Sequence, residues 1–106
     1  MQATCSWPLP DGQTIAFEVH PHDANWNAVG GVYIFAREDP TQWTALYVGS
    51  TNDFSQRLPN HEDWDKARQL GATAVHVLVV SQPQRYLALE ETLIQHLQPT
   101  LNIQNR

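Results

Sequence analysis

Apolar residues recur along this chain with two different periods, and the change of period marks the elements. Residues 31–36 (GVYIFA) and 44–48 (TALYV) are short β-rich runs joined by a polar link around Pro40, which predicts an antiparallel hairpin. Ala74 to Val80, with four valines, predicts a third strand. From about 83 to 97 the period becomes helical, and Tyr86, Leu89, Leu93, Ile94 and Leu97 form one apolar stripe at ~100° per residue. Ser81 followed by Gln84 fits a capping box for that helix, Pro83 suits its first turn, and Pro99 stops it.

Two readings stay open between the hairpin and the third strand. Thr51 or Asn52 can cap a helix through Phe54 and Leu58 that Pro59 breaks, or Pro59 can open a helix from about 60 to 70 that ends at Gly71. Residues 1–29, rich in Pro, Asp and Gly around the alternating run Thr14 to Val19, predict a loop-and-strand extension that packs Trp7 and Phe17 on the rest. The order strand, strand, helix, strand, helix predicts an α/β (α+β) domain at residues 30–106: a small central, mainly antiparallel three-stranded sheet flanked by helices.

At 106 residues and 42% apolar content, one folded domain with a single core is expected. No apolar run reaches the ~18 residues of a membrane span, and the opening MQATCSW lacks the pattern of a secretory signal, so a cytoplasmic protein without membrane contact is expected. Cys5, the single cysteine, leaves no internal disulfide. A formal charge of −5 with only six Lys and Arg argues against coating nucleic acid through bulk electrostatics. Arg57, Lys66, Arg68 and Arg85 nevertheless all lie in the second half of the chain, where they can build a local basic face that contacts nucleic acid.

Three features carry chemistry. A hairpin register symmetric about Pro40 sets Tyr33 directly across from Tyr47, Cβ atoms about 5 Å apart. That is either a cross-strand aromatic pair in the core or a patch of hydroxyls awaiting a ligand. Glu90 falls near the middle of the apolar stripe of the last helix, so it must meet a cation, strong donors or a wet cleft. A salt bridge to an arginine satisfies it, and so does a hard divalent cation. Arg57 and His61, four apart, share a face if one helix runs through them, and guanidinium with imidazole suits phosphate. Cys5, His20 and His22 lack the fourth ligand of a metal site. Trp26, Trp43 and Trp64 suit a core better than a base-stacking platform in so small a domain.

With these residues in view, the chain resembles the GIY-YIG nucleases. GVY at 31–33 stands for the first motif and YVG at 47–49 for the second; STNDFSQRLPNH follows with Arg57 and His61, and ALEETLIQHLQPTLN looks like the closing block with Glu90 and Asn102. Valine replaces isoleucine at 32 and 48, and Pro59 interrupts a stretch that is usually helical in the family. The resemblance implies metal-dependent hydrolysis of a phosphodiester. Glu90 would hold a single Mg2+ or Mn2+. Tyr33 would lie near the attacking water as base or relay, and Tyr47 would orient water or phosphate. Arg57 would bind the phosphate, His61 would shuttle a proton or help depress the phenol, and Asn102 would bind phosphate or brace a tyrosine. The implied substrate is DNA, with little sequence preference or with a preference for structured or single-stranded forms. With so few cations, a protein partner or a homodimer would supply further contacts. Two alternatives accompany this expectation: a catalytically silent binding or scaffold module, and an RNA-cutting, toxin-like nuclease.

Overall fold

The computed structural model describes residues 3–104. The outermost residues of both expected regions, 1–2 and 105–106, lie outside the described residues. The strands are β1 (Thr4–Pro8), β2 (Thr14–His20), β3 (Gly31–Glu38), β4 (Trp43–Thr51) and β5 (Ala74–Val79). The helices are α1 (Phe54–Arg57), α2 (Glu62–Gln69), α3 (Pro83–Leu97) and α4 (Thr100–Gln104), with a 3-10 turn at Leu58–Asn60. All five strands join one antiparallel sheet in the order β1-β2-β5-β3-β4.

The expected architecture is present, with five strands where three were expected. The N-terminal run is a full hairpin whose second strand pairs with β5. Its first strand was hard to read because TCSWP buries one side chain, Trp7, and closes on a proline. Trp7 and Phe17 do pack on the main body, and the Trp7 indole N–H donates to His76 Nδ1 on β5 at 3.0 Å.

The sheet is buried on both faces. Residues 31–36 of β3 are therefore all buried, and the strand lacks the polar alternation of a half-exposed one. Val32, Ile34, Val48, Tyr86 and Leu93 form a core under α3. Tyr33, Phe35, Leu46, Phe54, Leu58, Ala67 and Leu101 form the core on the other face, under α1, α2 and α4.

The hairpin register differs from the symmetric expectation. Tyr33 pairs with Gly49, and Phe35 pairs with Tyr47. Two offsets cause this. The turn closes from Asp39 N–H to Gln42 O, centred beyond Pro40, and a bulge between the Phe35 and Ala36 rungs inserts Leu46. Either offset alone would turn Tyr47 to the opposite face; together they return it to the face of Tyr33, on the diagonal.

Both readings of the middle segment contribute. A first helix does break at Pro59, and a second follows and ends before Gly71, whose φ of +101° suits glycine. The cap of α1 is Asp53 rather than Thr51 or Asn52, because its carboxylate reaches Ser55 N–H. Arg57 and His61 accordingly do not share a helix: one ends α1 and the other caps α2. Helix α3 spans the expected residues without the Ser81 capping box: Gln82 rather than Ser81 is its N-cap and makes no side-chain bond, while Pro83 stands in the first turn, where its missing N–H costs nothing. Beyond Pro99 the chain turns into α4, which sequence periodicity could not reveal in five residues.

Candidate active site

Tyr33 is fully buried (1% exposed), and its hydroxyl lies 2.7 Å from His61 Nε2. Gly49, its cross-strand partner, makes room: a Cβ there would stand 2.5 Å from Cζ and Oη of Tyr33. Tyr47, half-buried, sits diagonally with ring centroids 6.3 Å apart, and the imidazole of His61 packs edge-on against both rings. The glycine of the YVG run is thus there for the tyrosine of the GVY run.

His61 works at both ends of its ring. Nδ1 accepts the N–H of Asp63 at 3.0 Å and so caps α2. The hydrogen-bond network therefore assigns the proton of the neutral imidazole to Nε2, which donates to Tyr33 Oη. The phenol keeps its own O–H to donate elsewhere. Burial, together with the nearby Arg57 charge, lowers the His61 pKa to about 4, so the ring stays neutral near pH 7.

Burial also raises both phenols. For Tyr33 the neighbouring Tyr47 adds to the rise, while the charge and hydrogen bonding of Arg57 oppose it. For Tyr47 the charges of Asp63 and Glu90 add to the rise. Neither phenol ionises unaided near neutrality.

Arg57 is held by Glu62 through two parallel bonds, Nη1 to Oε2 at 2.8 Å and Nη2 to Oε1 at 3.0 Å. This pairing lowers the Glu62 pKa to about 2 and raises that of Arg57. A carboxylate thus grips the fork that a phosphate would take.

Glu90 is half-buried on α3, and Ser50 Oγ donates to its Oε1 at 2.7 Å. Its charge is near enough to raise both phenols. Beside it, a groove of about 510 Å³ is lined by Leu87, Glu90, Glu91, Ile94, Gln95 and Asn102.

Of the residues picked out from sequence, Tyr33, Tyr47, Arg57 and His61 come together, and Glu90 stands on α3 against Ser50, its charge near enough to act on both phenols. Asn102 stands at the margin, its amide spent on the edge of β4: Oδ1 accepts Val48 N–H at 2.8 Å and Nδ2 donates to Val48 O at 2.9 Å. It braces the strand of Tyr47, and its hydrogen bonds are not directed at a phosphate. Lys66 and Arg68 pair with Asp63 and Asp65 of their own helix, and Arg85 is exposed beside Ser81 and Gln82 at the start of α3. Three of the four cations expected to build a basic face, Arg57, Lys66 and Arg68, therefore carry acidic partners.

Ser50 and Glu62 were missed. Ser50 was open to strand alternation, since it shares the α3-facing side of β4 with Val48; nothing in the spacing singled out Glu62. Among the described residues, His61, Glu62 and Asp63 hold potential metal-ligand atoms within 4.8 Å of one another. Both His61 nitrogens and the Glu62 carboxylate are already engaged. The tryptophans pack against the cores, as their number in so small a domain suggested: Trp64 lies flat against His22 and edge-on to Phe35, and Trp43 packs on His76.

The antiparallel sheet with helices on both faces has the GIY-YIG nuclease fold, and on this chain it carries two tyrosines on one side of the β3–β4 hairpin with an Arg and a His beside them. Among solved structures the chain is similar to the N-terminal GIY-YIG endonuclease domain of UvrC from Thermotoga maritima, in a point mutant bound to its catalytic divalent cation. The two share 25% identity at a TM-score of 0.59, over 71% of this chain and 83% of that one. No protein-family model matches the chain, and no curated protein does. No helix among the described residues is long and apolar enough to cross a membrane.

Proposed function

We propose that this protein is a divalent-metal-dependent endonuclease that hydrolyses phosphodiester bonds of DNA with little sequence preference. The observation that carries this is the convergence of Tyr33, Tyr47, Arg57 and His61 on one face of the sheet, with the Glu90 carboxylate held by Ser50 on the neighbouring α3. Glu90 suits a hard divalent cation: one oxygen is fixed by a hydroxyl, the side chain is half-exposed, and a lone carboxylate with several waters is a common way to hold Mg2+ or Mn2+. Such a cation, when bound, supplies positive charge that offsets the phosphate and the leaving 3′ oxygen and favours an ionised phenol.

The chain's own residues divide the remaining work by burial. Tyr47 is the phenol open to solvent and takes the place beside the attacking water; Tyr33, sealed behind it, acts through its hydrogen bonds. This exchanges the roles that resemblance alone had implied for the two tyrosines. The water oxygen bonds to phosphorus as the bond to the 3′ oxygen breaks; Tyr47, as the phenolate, accepts the water's proton, and the 3′ oxygen leaves with the bonding pair and takes a proton from solvent. Arg57 receives the phosphate once Glu62 swings aside, an exchange made easy because the ion pair is exposed. His61 donates to Tyr33 and, with Arg57, holds that ring in place.

The test is cleavage of single-stranded, duplex, flapped and branched DNA, and of RNA, by purified protein with Mg2+ or Mn2+. Glu90→Ala is expected to lower the rate by at least about 100-fold, as loss of one transition-state charge contact does. Undiminished cleavage by that variant would remove the proposal. A second reading, a non-cutting binding module, is favoured by one observation: Glu62 already fills the fork of Arg57. Metal-independent binding without cleavage of any of these substrates would select it.

A further inference from the structure

Ser50 follows the YVG run directly and pairs with Val32 across the hairpin, so its side chain lies on the α3 side of β4, opposite to Tyr47 and Gly49. There its hydroxyl meets Glu90 Oε1 at 2.7 Å, a length suited to a hydroxyl donating to an ionised carboxylate. Among the described residues this is the hydrogen bond that the structure gives Glu90. Without it, a glutamate on a helix beside an edge strand has several rotamers open, and only some of them face the phenols.

We propose that Ser50 is the positioning residue of the metal site: its hydroxyl fixes Glu90 at the rim of the sheet and leaves the second carboxylate oxygen for the cation. The proposal rests on the nuclease reading above and adds to it the residue that orders its single protein ligand. The physical reason is general. A carboxylate that is ordered before the cation arrives loses less freedom on binding, and a hydrogen bond to the oxygen that does not face the metal fixes the plane of the group. The sheet makes the arrangement stiff, since Ser50 is held in the β3–β4 ladder while α3 packs across the same two strands.

Two substitutions separate the hydroxyl from the shape of the side chain. Ser50→Thr keeps the hydroxyl; Ser50→Val has nearly the same shape as threonine without it, and both are good strand formers. The readout is Mn2+ binding by the full-length protein, followed by calorimetry or electron paramagnetic resonance, with thermal melting as the control for folding. Ser50→Thr is expected to bind Mn2+ within a few-fold of wild type. Ser50→Val is expected to bind about 10- to 100-fold more weakly, at the same melting temperature as Ser50→Thr, which is the usual range for loss of a ligand's supporting hydrogen bond. Equal affinity in the two variants overturns the role of Ser50 even if wild type binds Mn2+ and Glu90→Ala abolishes that binding. If wild type itself binds no Mn2+, the metal reading falls along with the role of Ser50.

Discussion

The Tyr33 hydroxyl is enclosed by three groups of different kinds: the imidazole of His61, the guanidinium of Arg57 and the bare Cα of Gly49. A methyl group on Gly49 would stand 2.5 Å from the end of a ring that cannot swing away without breaking its bond to His61. Gly49→Ala is therefore expected to destabilise the fold by about 1–3 kcal/mol, measured by urea unfolding, as overpacking of a core does. It should also slow cleavage by roughly 100-fold, because a displacement near 1 Å has that effect on a positioned group. At this scale the tyrosines and Glu90 stood out by position, whereas Arg57 and His61 stood out by chemistry alone, since the shared helix face that suggested them does not exist. The partners that orient them did not stand out. Glu62 and Ser50 are ordinary polar residues whose meaning depends on what folds against them.

The expected elements mostly appeared, but their junctions depended on small offsets that periodicity does not encode. The face shared by the tyrosines survived because a shifted turn and a bulge compensate each other, and neither leaves a mark in the alternation of GVYIFA and TALYV. Pro59 does more than stop a helix. It lets the chain turn so that Arg57 at the end of α1 and His61 at the start of α2 both reach Tyr33. Helix α4 was illegible because five residues carry too little pattern, yet its Asn102 covers the backbone of β4 next to Tyr47. Asn102→Leu leaves Val48 N–H and C=O without that partner. Removing an amide pair of this kind is expected to reduce stability by about 1–3 kcal/mol and to speed hydrogen exchange at Val48; an unchanged exchange rate would mean that the contact does not hold the strand.

For the molecule as a whole, the charge balance was readable and its distribution was not. Arg37, Arg57, Lys66 and Arg68 each have an acidic partner, so the surface offers a polyanion fewer free cations than the composition suggests. Response to acid follows from two buried imidazoles. His61 and His76 are both held to a pKa of about 4, chiefly by burial, against 6.5 in the ordinary ring. The unfolded chain takes up these protons near pH 6.5 and the folded chain only near 4, so stability is greatest above 6.5 and falls as the pH drops through that window. Each group contributes on the order of 3 kcal/mol across it. Urea unfolding at pH 7 and pH 4.5 should register the fall, and His76→Gln should reduce it by roughly half.

His76 has a second consequence. Its Nδ1 accepts the indole N–H of Trp7 on β1, four strands earlier in sequence, while β2 adds a backbone ladder to the same β5. A chain nicked between residues 21 and 30 would on this account remain a single particle, its severed front piece zipped to the middle of the sheet and released only when the whole particle melts.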